Sequence, residues 1–102
     1  MKLMTTTEMY LHLAKTNSKQ YNILKTAEEL AELQEVLLKR LTKEGGPKEP
    51  TDQSIIEEIG DVKIRLEILS RMLGQTKVKD RIEFKTRQYK IYIKAGKYCG
   101  KI

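Results

Sequence analysis

Apolar residues recur along this chain at steps of three and four in two long blocks, the pattern of amphipathic helices. The first block places Ile23, Ala27, Leu30, Leu37 and Leu41 on one helical face, and the second does the same with Ile55, Ile59, Val62, Leu66, Leu69 and Leu73. Between them lie Gly45, Gly46, Pro47 and Pro50. No helix crosses such a cluster, because proline lacks the amide donor and its ring clashes with the preceding turn. The pattern predicts two helices folded back on each other as an antiparallel hairpin.

Local signals frame these blocks. Thr51 or Ser54 can cap the second long helix, Ser54 and Glu57 offering a capping box, and Gly74 is a natural stop. Ser18 and the Thr26/Glu29 box compete to start the first long helix; Ser18 is preferred because Tyr21, Ile23 and Leu24 already follow the helical pattern. A short amino-terminal helix is expected to carry Met9, His12 and Leu13 on its apolar face, with His12 as a packing residue. Residues 77–94 are expected to form a further helix through Val78, Ile82, Tyr89 and Ile93. Tyr89, Ile91 and Ile93 also alternate with Lys90, Tyr92 and Lys94 as a strand over 86–95 would, but one short strand has nothing to pair with except across an oligomer. The expected fold class is all-α: an antiparallel helical hairpin with flanking helices, forming a helical bundle through oligomerisation. A length of 102 residues fits one domain with a thin core, ending in a basic tail from about residue 95.

Charge changes this picture at one end. Residues 1–74 hold 11 Lys/Arg against 12 Asp/Glu, whereas residues 75–102 hold 9 against 2. The positive field therefore belongs to the last segment, which suits nucleic acid, an acidic surface or a polyphosphate. No apolar run reaches the roughly 18 residues a membrane span needs, and the polar break after Met4 does not suit a signal peptide; the expected location is cytoplasmic. Cys99 is the only cysteine and His12 the only histidine, so no zinc site of ordinary spacing can be built.

The candidate chemistry lies in the acids. Glu29 and Glu32 in EELAEL, and Glu58 and Asp61 in EEIGD, each stand three residues apart and so share a helical face. A hairpin lets the two pairs converge on one point. Carboxylate oxygens suit a hard cation such as Mg²⁺, or Mn²⁺, which keeps open positions for a polyphosphate. Both pairs lie off the main apolar stripes, beside second patches made by Leu33 and Val36 on one helix and by Ile64, Ile68 and Met72 on the other. Acids set among apolar residues need a cation or basic partners, because an unpaired buried charge is costly. Arg65, one turn beyond Asp61, is the obvious partner if the acids are purely structural. Gly60 inside a helix costs about 1 kcal/mol relative to Ala unless a helix or ligand approaches it closely.

The paired motifs EELAE (28–32) and EEIGD (57–61) resemble those of the MazG-type all-alpha nucleotide pyrophosphohydrolases, over roughly residues 20–90. The resemblance implies metal ligation and catalysis by Glu29, Glu32, Glu58 and Asp61; of these, Glu29 or Glu32 is the expected general base. It also implies cleavage of an NTP or dNTP to the monophosphate and pyrophosphate, and a homodimer or tetramer. Lys85 and Arg87 in KTRQYK stand near where the family contacts phosphate, although their register departs from the family pattern. Glu28 and Glu57 are expected to be outer residues. Tyr10, Tyr21 and His12 are expected to pack rather than meet the base. Two other readings stay open: a nucleic-acid-binding module using the basic segment with Tyr89, Tyr92 and Tyr98, and a structural helical oligomer whose acids pair with Lys63, Arg65 or Arg71.

Overall fold

The computed structural model describes residues 2–42 and 50–97. They form four helices, α1 (Thr6–Thr16), α2 (Lys19–Thr42), α3 (Asp52–Leu73) and α4 (Gln75–Lys94), and no strand occurs among the described residues. The 86–95 ambiguity thus resolves as helix through Lys94. None of these helices is long and apolar enough to cross a membrane. Residues 43–49, with Gly45, Gly46 and Pro47, lie outside the described residues, as do Tyr98, Cys99 and Lys101.

The starts of α1, α2 and α3 follow from side chains that satisfy otherwise orphaned amides, whereas α4 begins after Gly74 with no side-chain cap. In α1, Thr5 accepts from the Glu8 amide at 3.1 Å while Glu8 accepts from the Thr5 amide at 3.2 Å, a full capping box. Ser18 accepts from the Tyr21 amide at 3.0 Å, so α2 takes the long form. Thr51 accepts from the Ser54 amide at 3.1 Å, which places Ser54 inside the first turn of α3. Gly74 alone separates α3 from α4. Its φ of 134° is a conformation that L side chains rarely adopt, and its N–H closes α3 on the Ser70 carbonyl at 2.9 Å.

Contacts at both ends make the α2/α3 hairpin antiparallel. Arg40 donates to the Pro50 carbonyl at 2.8 Å and pairs with Asp52 at 3.1 Å, whereas Asn22 at the start of α2 reaches Met72 at the end of α3. On α2 the hairpin does not close through the main apolar stripe, and on α3 only Ile55, Val62 and Leu69 of that stripe take part. It closes through Asn22, Thr26, Glu29, Leu33 and Val36 on α2 and Ile55, Glu58, Val62, Arg65, Leu69 and Met72 on α3, all buried or half-buried. These positions alternate by three and four, the spacing of a coiled-coil seam. α1 packs across α3, and the buried Asn22 ties the junction by donating to the Leu13 carbonyl at 3.2 Å.

The rest of both stripes is left outside. Ile23, Leu30 and Leu37 are 45, 45 and 41 % exposed, and Ile59, Leu66 and Leu73 are exposed as well. At 100° per residue both stripes sit to the same side of the seam, so in an antiparallel hairpin they make one continuous apolar face. Val62, Ile68 and Pro50 are the buried apolar side chains among the described residues. The chain exposes 8619 Å², roughly 2,700 Å² more than the about 5,950 Å² of a compact monomer of its mass. Its radius of gyration is 17.4 Å, against about 13 Å for a compact domain of this length. His12, expected to pack, is exposed, because the inner face of α1 is formed by Met9, Tyr10, Leu13, Ala14 and Asn17.

Candidate metal centre

The seam brings acids from both arms together midway along the hairpin. Glu29, Glu32 and Glu58 each offer a carboxylate oxygen, all within 4.8 Å of one another. Glu29 and Glu58 occupy seam positions and are half-buried; Glu32 stands one turn from Glu29 on the rim and is exposed. Asp61, also exposed, is not in this closest group, but its charge acts on both Glu29 and Glu58. Three of the four acids expected as ligands therefore converge, with Asp61 at the edge of their field.

The electrostatics of the cluster are those of a site short of positive charge. Burial pushes the Glu29 carboxyl above its ordinary value, and the Glu32 charge, a hydrogen bond shared with the Glu32 carboxyl, and then the charges of Asp61 and Glu58 push it further. Glu58 rises for the same first reason, followed by the Glu32 and Asp61 charges, a hydrogen bond shared with Glu32, and the Glu57 charge. Glu29 Oε2 and Glu58 Oε2 are closed off from solvent, yet neither accepts a hydrogen bond. A buried carboxylate oxygen without a donor is unusual, because ordinary folding leaves few polar atoms unsatisfied.

Basic side chains do not resolve the deficit. The Asp61–Arg65 pair does not form, and Arg65 Nη1 is itself buried without a partner. Arg71 is engaged elsewhere, 3.0 Å from Glu67 and 5.4 Å above the Tyr10 ring. Lys63 lines a groove of about 480 Å³ with Tyr10, Leu66 and Val78. Within the chain, no ion pair to any of the four acids occurs among the described residues.

Hard oxygen donors, buried lone pairs and the lack of a protein cation together fit a divalent metal. Oxygens around one Mg²⁺ at about 2.1 Å stand roughly 3–4.2 Å apart, so side-chain rotation alone can bring donors within 4.8 Å into place. Glu29 and Glu58 would be inner ligands and Glu32 a rim ligand, with Asp61 reaching in directly or through water.

Other expected site residues lie apart from this group. Lys85 sets its ammonium 5.5 Å from the Tyr89 ring of its own helix. Arg87 lines a groove of about 430 Å³ on α4 with Ile82, Glu83, Thr86 and Lys90. Neither joins the carboxylates within one chain. Tyr21 carries Lys25 over its ring at 5.7 Å. An added Cβ at Gly60 would meet nothing within 4 Å, so no helix of the same chain requires glycine there.

Asn22 was not singled out from sequence, Thr26 was read only as a candidate helix start and Arg65 only as a partner for Asp61, yet all three occupy the seam with the acids. Thr26 turns its hydroxyl back onto the Asn22 carbonyl at 2.7 Å, which leaves Asn22 Oδ1 as another buried atom without a donor. The steps 22, 26, 29, 33 and 36 carried that information, but polar residues at seam positions mask it from a search for apolar periodicity. No protein-family model, curated protein or solved structure matches this chain. The class its own geometry defines is an all-helical hairpin with a carboxylate cluster in the seam.

Proposed function

We propose that this chain is a Mg²⁺-dependent pyrophosphohydrolase that converts an NTP or dNTP to the monophosphate and pyrophosphate, with Mn²⁺ as a substitute metal. The observation that carries the reading is the convergence of Glu29, Glu32 and Glu58 from two helices, with two inward oxygens lacking any donor. The motif resemblance adds the reaction type. When bound, the metal supplies charge neutralisation for the triphosphate and a more acidic water. Glu29 and Glu58 hold the cation in a part-dehydrated seam. Glu32, exposed at the rim, is placed to accept a proton from the attacking water. Asp61 completes the negative field.

The reading includes a second copy of the chain. The exposed face built from Ile23, Leu30, Leu37, Ile59, Leu66 and Leu73, together with an excess surface of about 2,700 Å² per chain, supplies more than the roughly 1,000–2,500 Å² per partner that obligate homodimer interfaces bury. The resemblance implies phosphate contacts by Lys85 and Arg87, which within one chain stand apart from the acids.

Pyrophosphate release from a panel of NTPs and dNTPs with Mg²⁺ tests this. Glu32→Gln and Asp61→Asn should each abolish release while leaving helicity and oligomer size unchanged. Full activity in either variant would show that the site is misassigned.

A further inference from the structure

The seam holds one cation. Arg65 is the only Lys or Arg among the residues through which α2 and α3 meet, and it is half-buried there. At 100° per residue it falls within about 20° of Glu58, two turns further along α3, and about 40° from Asp61, one turn further. With a rise of 1.5 Å per residue, its Cα stands about 10.5 Å beyond the level of Glu58 and about 6 Å beyond that of Asp61. Helical side chains lean toward the amino-terminal end, which for Arg65 is the end that carries both acids.

This guanidinium is left without an acceptor. Nη1 is closed off from solvent and bonds to nothing, and Arg65 makes no hydrogen bond or ion pair among the described residues. Arg71, on the same helix, is held both by Glu67 and by the Tyr10 ring. A guanidinium taken out of water without a partner is costly, so a fold that closed over Arg65 for stability alone would pair it. Asp61 stands four residues away, the spacing of a helical ion pair, yet the pair is not made. The open donor points to an anion from outside the chain.

The chemistry of the neighbouring site says which anion. Arginine presents a planar fork of donors that matches phosphate oxygens. A triphosphate neutralised at one point by a metal on Glu29 and Glu58 still carries negative charge along the rest of its length, and a fixed cation one or two turns away answers that charge. Lys85 and Arg87 do not stand there within one chain.

We propose that Arg65 binds the phosphate chain of the nucleotide, its guanidinium on phosphate oxygens while the carboxylates hold the metal. The inference rests on the pyrophosphohydrolase reading and adds to it a phosphate ligand from the same seam.

Calorimetric titration of the full chain with inorganic tripolyphosphate in millimolar Mg²⁺ reads this contact without a nucleobase. Arg65→Met should weaken binding about tenfold or more, the size of a hydrogen bond to a charged group. Arg65→Lys keeps the charge and loses the fork, and should fall between the two. The control Lys15→Met, an equal loss of charge on α1, should bind like the unaltered chain. Arg65→Met should also melt at the same temperature as the unaltered chain or higher, since it breaks no pair and removes an unpaired charge. Mn²⁺ uptake should be the same in both, which separates a lost phosphate contact from a lost metal. An unaltered chain that takes up no Mn²⁺ sinks the pyrophosphohydrolase reading and this inference with it. Mn²⁺ uptake with equal tripolyphosphate affinity in Arg65→Met and the unaltered chain, or with no tripolyphosphate binding in either, overturns the role of Arg65 alone. A lower Tm together with the lost affinity also overturns it, because Arg65 would then be a structural partner of Asp61.

Discussion

Gly60 interrupts the motif that carries Glu58 and Asp61, and replacing it tests how α3 is packed on its outer side. Glycine inside a helix costs about 1 kcal/mol relative to alanine, because its backbone has more freedom to lose. That gain is realised only where a methyl group fits. Here an added Cβ finds open space within 4 Å, and the residue is exposed in the middle of α3 with helical neighbours on both sides. Gly60 also lies about 100° around the helix from the Ile59 and Leu66 row, so a second copy covering that row leaves it free. Gly60→Ala should therefore stabilise the chain by about 1 kcal/mol, which for a domain of this size raises Tm by roughly 4–8 °C. Thermal melts followed by circular dichroism at two protein concentrations read the shift. A lowered Tm would refute the reasoning, because it would mean that another chain or a ligand presses against Gly60.

Further predictions address the seam and the open face. Asn22→Ala removes the donor to the Leu13 carbonyl and the filling of the three-helix junction. It should destabilise by about 2 kcal/mol in urea unfolding, the usual cost of a buried group left unpaired; a change under half that size would show the junction to be incidental. Leu30→Lys with Leu37→Lys places charge on the exposed apolar face and should shift the chain to a smaller species in analytical ultracentrifugation. An unchanged sedimentation profile would count against that face as the interface. The pH dependence follows from the raised Glu29 and Glu58 carboxyls. A carboxyl that holds its proton more tightly when folded than when unfolded opposes folding once ionised. This penalty is full above the folded-state value and disappears as pH falls through it. Without metal, these two groups should therefore favour the folded state increasingly as pH drops below neutral. The added stability from Mg²⁺ should shrink over the same window, since protons and metal compete for the same oxygens. Melts at several pH values with and without Mg²⁺ check both trends, and a metal effect that grows toward acid would contradict them.

Much of the architecture was legible because helix signals are local. The apolar steps of three and four, the Ser18 and Thr51 caps and the Gly74 stop each correspond to a helix or an end in the structure. The pairing of faces was not legible. Ile23, Leu30 and Leu37 look like a core by hydrophobicity alone, yet the hairpin closes through Asn22, Thr26 and Glu29, which look like surface. Hydrophobic periodicity reports which face must be covered and not by what. A stripe reserved for another molecule reads the same as one buried within the chain. The convergence of Glu29, Glu32 and Glu58 could be anticipated because i, i+3 spacing and an antiparallel hairpin are geometric constraints. The position of Lys85 and Arg87 could not, since it depends on where α4 leaves Gly74.

The most direct measurement is Mn²⁺ binding followed by electron paramagnetic resonance, in which bound ion disappears from the free Mn²⁺ signal. The unaltered chain should take up Mn²⁺ saturably, with Mg²⁺ competing, and Glu29→Gln and Glu58→Gln should each remove that uptake while retaining helicity. Uptake that persists in both variants, or none at all at millimolar Mn²⁺, would contradict a metal held between the two arms of the hairpin.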